Sequence, residues 1–90
     1  MIRKNDNLCI SEKNNEIVIL NMKSGKFFGL QDVSYDVWQA LEKYQDVGLI
    51  IDEIVKNYNV NRNEAKADVE KLIKDLKENG LVVEWWKDLV

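Results

Sequence analysis

Within ten residues, at positions 23–32, the sequence changes from a strand pattern to a helical one. Ser24-Gly25 is typical of a turn, since glycine adopts a positive φ at no steric cost. The two phenylalanines that follow favour a strand, and Asp32 belongs to a residue type that begins helices. Strands before this point and helices after it restrict the fold to the α+β class.

Three strands are predicted in the first third of the chain. The run at 17–20 is apolar at every position, which indicates a central strand covered on both faces. Turns at 11–15 and 21–25, the first with two adjacent asparagines, join it to strands at 8–10 and 26–30. Because consecutive strands with short turns form an antiparallel meander, the two outer strands become its edges.

Three helices are predicted next, because apolar residues then repeat every three or four positions. The first is capped by Asp32 or Ser34, buries Trp38 and ends near Tyr44. A break at 46–48 precedes the second helix. Its apolar positions are Ile50, Ile51, Ile54, Val55 and Tyr58.

The third helix has the clearest boundaries. Asn61 and Glu64 fit a capping box, Val60 and Ala65 fit a hydrophobic staple, and Asn79-Gly80 is a C-cap signal. Residues 81–83 then return to the core or pair with the sheet, and 84–90 form a tail. The prediction is one α+β domain over residues 1–90, β-β-β-α-α-α, of winged helix-turn-helix type, with its core at about 7–83.

Composition argues against catalysis. The chain has no histidine and a single cysteine, so it lacks the usual general base, the commonest metal ligand and any intrachain disulfide. Its four glycines are scattered, with no phosphate- or dinucleotide-binding loop. We therefore expect no enzyme activity, cofactor or metal, and we expect Cys9 to be a small buried side chain.

Charge and hydropathy restrict the partners. The net charge of −3, from 13 basic and 16 acidic residues, disfavours nucleic acid, although a DNA-binding winged helix is the alternative that the predicted topology allows. No apolar run reaches the ~20 residues of a membrane span, and no signal peptide pattern begins the sequence. These features, with the single cysteine, predict a cytoplasmic protein without membrane contact.

A longer pattern runs through most of the chain. It consists of Ser-Gly-Lys-Phe-Phe-Gly-Leu-Gln at 24–31, Val-Trp-Gln-Ala-Leu at 37–41, Ile-Val at 54–55, Asp-Val at 68–69, Leu-Ile at 72–73, Leu at 76 and Gly-Leu-Val at 80–82. This pattern resembles the PqqD-like family, the recognition elements for precursors of ribosomally synthesised, modified peptides. Gln31 departs from the capping Asn that is frequent there, and Asp32 is expected to replace it.

The resemblance implies a protein without catalytic activity that binds the N-terminal leader of a precursor peptide and presents it to modifying enzymes. The leader would add as an antiparallel strand to residues 26–30, in a groove against the third helix. The implied peptide-binding residues are Lys26, Phe27, Phe28, Gly29 and Leu30 on the strand and Asp68, Val69, Lys71, Leu72, Asp75 and Leu76 on the helix.

Several roles follow for individual residues. Leu72 would form the apolar floor of the groove, and Lys26 and Lys71 would pair with leader carboxylates. Phe28 is expected in the core, whereas Phe27 either joins the core or lines the groove. Trp85-Trp86 either covers the core or docks a partner enzyme.

The resemblance leaves the identity of the partners open. The modifying enzyme is a leader protease in lasso peptide systems and a radical-SAM enzyme in pyrroloquinoline quinone synthesis, and we favour the lasso system. The free strand edge could also pair with a second copy of the chain, as a homodimer.

Overall fold

A three-stranded sheet followed by three helices dominates residues 2–84, the part of the chain that the computed structural model describes. The elements are β1 (Ile2–Lys4), β2 (Leu8–Lys13), β3 (Glu16–Asn21), β4 (Lys26–Gln31), α1 (Val33–Lys43), α2 (Val47–Tyr58), α3 (Arg62–Glu78) and β5 (Val82–Glu84). Strands β2, β3 and β4 are antiparallel and lie in that order, while β1 and β5 form a separate antiparallel pair. The predicted α+β class, with a meander before three helices, is confirmed.

The β2–β3 hairpin turns on two residues. Asn14 and Asn15 adopt φ values of 54° and 61°, the left-handed values that a two-residue hairpin turn requires. The turn is therefore shorter than predicted, and β2 continues to Lys13, where the prediction ended it at Ile10. The pair Lys13–Glu16 closes the hairpin.

The sheet is covered on one face only. Ile17 and Ile19 of β3 are buried against the helices, whereas Val18 between them is 38% exposed. The prediction that β3 is covered on both faces is wrong, because the described helices and strands leave its outer face open. Cys9 lies on this outer face opposite Leu20 and is exposed, so its predicted burial is also wrong.

The start of α1 differs from the prediction. Asp32 is the N-cap residue, but its φ is 56° and its side chain makes no capping hydrogen bond. The side chain of Ser34 instead bonds back to the last residue of β4. Its Oγ donates to the carbonyl oxygen of Gln31 at 2.7 Å and accepts from the Gln31 N–H at 3.0 Å. Trp38 is buried, as predicted.

The predicted break before α2 is the start of that helix. The side chain of Asp46 accepts a hydrogen bond from the N–H of Gly48 at 2.7 Å, which is an N-cap contact. Helix α2 therefore begins at Val47, three residues before the start of its predicted apolar stripe at Ile50. Its buried residues, Ile50, Ile51 and Ile54, are among those predicted.

The boundaries of α3 are confirmed. Asn61 is the N-cap, and its side chain accepts from the N–H of Asn63 at 2.8 Å. Gly80, just beyond the C-cap, has a φ of 73°, which favours glycine. The buried side of the helix is formed by Ala65, Val69, Ile73 and Leu76.

The β1–β5 pair joins the two ends of the described chain. Residues 2–4 had no predicted element, yet Ile2 is buried in the core and pairs with Glu84. The side-chain nitrogen of Lys4 lies 4.6 Å from the centre of the Trp38 ring, a cation–π distance. Leu81 returns to the core, as predicted, and β5 pairs with β1 instead of the larger sheet. The predicted roles of Trp85 and Trp86 lie outside the described residues.

Candidate functional site

Strand β4 is an edge of the larger sheet. It pairs with β3 on one side, and no strand within residues 2–84 pairs with its other side. In an antiparallel sheet the N–H and C=O groups of one residue point to the same side, and successive residues alternate. Half of the main-chain groups of β4 are therefore directed away from the sheet.

The two-residue turn decides which residues these are. Because Lys13–Glu16 closes that turn as a hydrogen-bonded pair, Glu16 and every second residue of β3 bond to β2. The alternate residues of β3 bond to β4, where their partners are Lys26, Phe28 and Leu30.

The residues of β4 that point outward are consequently Phe27, Gly29 and Gln31. The main-chain groups of Gln31 are already bonded to the hydroxyl of Ser34. Two N–H and two C=O groups, those of Phe27 and Gly29, remain on the free edge. They are the hydrogen-bonding groups that an added strand requires.

The side chains of β4 alternate between the two faces of the sheet. Leu30 is buried and Phe28 is half-buried against the core. Phe27 lies on the outer face, opposite Leu20, and is 69% exposed. The expectation that Phe28 joins the core is met, and Phe27 lies on the face away from the core.

Helix α3 approaches residues that adjoin the two ends of β4. At one end, the side chain of Asn21, which pairs with Lys26 at the start of β4, donates to the carbonyl oxygen of Asn79 at 3.1 Å. At the other end, Val33, two residues after β4, lines a cavity of about 70 Å³ with Asp68. The two elements are therefore linked near both ends.

The predicted helix residues divide into core and surface. Val69 and Leu76 are buried, so their side chains support the site from beneath. Leu72 is half-buried against the core, one turn beyond Asp68 and on the same side of α3. The exposed residues are Asp68, Lys71 and Asp75.

The cavity near the start of α3 was not predicted from the sequence. It is lined by Val33, Ile54, Tyr58, Val60, Glu64, Ala65 and Asp68. The hydroxyl of Tyr58 donates to Oδ2 of Asp36 at 2.6 Å, and this bond raises the pKa of Tyr58 to about 12. The hydrophobic staple at Val60 and Ala65 was the signal in the sequence for an apolar contact here.

The charged groups near the edge are open to solvent. Among the described residues, Lys26 and Lys71 take part in no ion pair. Within the same residues, no three His, Cys, Asp or Glu side chains are grouped to hold a metal ion. None of the helices in this part of the chain is both long and apolar enough to cross a membrane.

Comparisons with known proteins identify a family and two similar structures. The family described as coenzyme PQQ synthesis protein D (PqqD) matches residues 16–82. A structure of TbiB1 in complex with the TbiA(beta) leader peptide has a TM-score of 0.86 and 25% identity, covering 94% of this chain and 99% of that chain. A lasso peptide synthetase B1 complexed with the leader peptide has a TM-score of 0.82 and 24% identity, covering 92% and 98%. No curated protein matches the chain significantly.

Proposed function

The chain belongs to the PqqD family, and we propose that it is a non-catalytic protein that binds the leader of a ribosomally synthesised precursor peptide. The leader adds to β4 as an antiparallel strand, bonded to Phe27 and Gly29, and alternate side chains rest against Leu72 of α3. The observation that carries the proposal is the free edge of β4, where the main-chain groups of these two residues lack partners in the described sheet. The leader peptides in both similar structures support it.

The free edge is sufficient for a moderate affinity. Four main-chain hydrogen bonds at roughly 0.5–1.5 kcal/mol each and two buried apolar side chains at about 1.5–3 kcal/mol each give a gross ~5–12 kcal/mol. Ordering a flexible leader costs about 2–5 kcal/mol. We therefore expect a Kd of about micromolar order. This corresponds to a binding free energy near −8 kcal/mol, toward the upper end of what remains after the ordering cost is subtracted from the gross interaction energy, roughly.

A modifying enzyme is the second partner that we propose. One of the similar structures is a lasso peptide synthetase B1, which favours a lasso precursor and a leader protease. The family description, coenzyme PQQ synthesis, supports the radical-SAM alternative. The two alternative partner enzymes are distinguished by adding this protein to a precursor together with either the leader protease or the radical-SAM enzyme. We expect faster leader cleavage by the protease and no change with the radical-SAM enzyme.

Strand addition is tested by N-methylation of the leader, one residue at a time, with binding measured by calorimetry. Methylation removes the N–H of one residue, and in an added strand every second N–H points to β4. We expect an alternating pattern, with methyl groups toward β4 weakening binding strongly and those between them having little effect. Binding without this alternation would reject strand addition, and absence of binding to any precursor leader would reject the function.

The free edge also has a competing occupant. The β4 strand of a second copy would use the same groups of Phe27 and Gly29, so we propose that a homodimer of this kind is displaced by the leader.

DNA binding gains no support, because α3 has no surplus of basic charge. Its basic residues are Arg62, Lys66, Lys71, Lys74 and Lys77, and its acidic residues are Glu64, Asp68, Glu70, Asp75 and Glu78.

A further inference from the structure

Gly29 lies in the middle of the β4 edge, where the fold does not require a glycine. The pairing of β3 with β4 continues through it without a bulge. Of the described residues, only Glu16 would come within 4 Å of an added Cβ, with its carboxylate at 3.8 Å. A glycine inside a strand weakens the strand and often marks the close approach of a ligand. We therefore looked for what its missing side chain makes room for.

The missing side chain makes room for a guest side chain, and the guest main chain does not need it. Strand pairing takes place in the plane of the sheet, where Phe27 offers the same groups as Gly29. Side chains project from the two faces of a sheet, so a missing Cβ leaves space above the sheet plane. For Gly29 this space lies on the outer face, which the described helices and strands leave open.

The surroundings of this space are mainly apolar. Val18 lies directly across from Gly29 on β3 and is 38% exposed. Phe27, two residues earlier on the same face, is 69% exposed. The Glu16 carboxylate stands at one side, where it accepts a hydrogen bond from the side chain of Gln31 at 2.8 Å. We call the space bounded by Val18, Phe27 and Glu16 the Gly29 depression.

We infer that the Gly29 depression takes an aromatic side chain of the leader. Paired residues of antiparallel strands direct their side chains to the same face, so the guest residue opposite Gly29 points to the outer face. An aromatic ring at this position covers the bare backbone of Gly29 and reaches Phe27 on the diagonal and Val18 beyond. The inference rests on the proposed strand addition and extends it, because the leader is then recognised on both faces of the sheet.

The direction of the guest strand gives the leader a recognisable sequence. In an antiparallel guest, the residue after the aromatic one lies opposite Phe28 and points to the core face, where Phe28 is half-buried. The segment that fits is therefore an aromatic residue followed directly by an apolar one. A two-residue shift of a long guest keeps the same main-chain bonds to β4, so these two side chains select the leader residues that lie there.

Peptide selection on the full chain tests the inference without the natural leader. A displayed library of short random-sequence peptides is selected on the wild type, Gly29→Val and Ser11→Val. On the wild type we expect an aromatic residue directly before an apolar one. Gly29→Val fills the depression with a strand-favouring side chain, so the aromatic preference should disappear and the apolar one should remain. Ser11→Val is the matched control, because it adds the same valine to the same face on β2, and it should select the wild-type pattern.

One selected peptide is then compared with its aromatic-to-alanine variant by calorimetry. Loss of the ring should weaken binding to the wild type and to Ser11→Val about three- to tenfold. On Gly29→Val, the same loss should weaken binding less than about twofold, because the ring has no depression to enter. In the labelled wild-type complex, nuclear Overhauser effects should connect the ring with the methyl groups of Val18.

Failure of the inference and failure of the proposed function give different results. Selected peptides without the aromatic residue, equal losses on the wild type and Gly29→Val, or ring contacts with Leu72 instead of Val18 would overturn the role of the depression and leave leader binding intact. Contacts of Val18 with a second copy of the chain in the presence of peptide would overturn it as well. Selection of no peptide at all would overturn the proposed function together with the inference.

Discussion

At the scale of the single residue, Gly80 and Gly29 tolerate a side chain very differently. Gly80 has a φ of 73°, and a Cβ there would lie 2.8 Å from Nδ2 of Asn21. Gly29 has no such constraint, since a Cβ there would lie 3.8 Å from the Glu16 carboxylate, an ordinary contact. The first glycine is needed for folding, whereas the second is available to serve binding.

Alanine at each position separates these roles. We expect Gly80→Ala to lower the free energy of unfolding by more than about 1 kcal/mol, because alanine is strained at a positive φ. Gly29→Ala should leave it unchanged within about 0.5 kcal/mol or raise it slightly. Urea denaturation measures both. Equal stability of the two variants would contradict the strain assigned to Gly80.

The hydrogen bond between Tyr58 and Asp36 makes the folding stability depend on pH. Its hydrogen bond to Asp36 raises its pKa from 10.0 to about 12, so folding favours the neutral phenol. The stability from this bond is complete below pH 10 and is lost as the pH rises toward about 12. At neutral pH, Tyr58→Phe should cost about 0.5–1.5 kcal/mol. This difference from the wild type, measured by chemical denaturation, should shrink above pH 10.

At the scale of the element, local chemistry predicted more than strand pairing did. The ends of α3 were predictable because Asn61 and Gly80 act on neighbouring main-chain groups. The outward direction of the Phe27 main-chain groups was not predictable. It depends on which residues of β3 bond to β2, and the Asn14–Asn15 turn at the far side of the sheet sets this. The edge position of β4 followed from strand order alone.

The proposed binding role of α3 is tested by introducing glutamine at one position on each of two sides of the helix. Leu72→Gln removes half-buried apolar surface from the side of α3 that carries Asp68, and we expect it to weaken leader binding about tenfold, or about 1.4 kcal/mol. Lys74→Gln is the control, because Lys74 lines a different cavity, with Val47 and Glu70. Calorimetry should show unchanged binding for the control. Equal losses in both variants would exclude a specific contact at Leu72.

At the scale of the whole molecule, the β1–β5 pair was beyond sequence-based prediction. Each strand has only three residues, and Ile2 is the single apolar residue of β1. A short segment of this kind carries no periodicity, and its partner lies at the far end of the described chain. The same absence of local signal explains why the core prediction began at about residue 7.

The same Ile→Ala substitution at two positions measures how much the β1–β5 pair contributes to the free energy of unfolding. Ile2→Ala should lower the free energy of unfolding by about 2–4 kcal/mol, because Ile2 is buried at 3% exposure. Ile10→Ala makes the same change where the side chain is 46% exposed, and should cost less than about 1 kcal/mol. Urea denaturation of both variants provides the comparison, and similar losses would show that β1 is not part of the core.

The pairing of Ile2 with Glu84 also has a consequence for synthesis on the ribosome. Strand β1 is synthesised before the other described elements and waits for β5, the last of them, before its hydrogen bonds form, and contacts so distant along the chain form slowly. Every residue of the proposed binding edge, from Lys26 to Leu76, precedes β5 in the order of translation. The nascent chain therefore contains every residue of the proposed peptide-receiving surface before β1 and β5 pair, and that pairing contributes no residue to it.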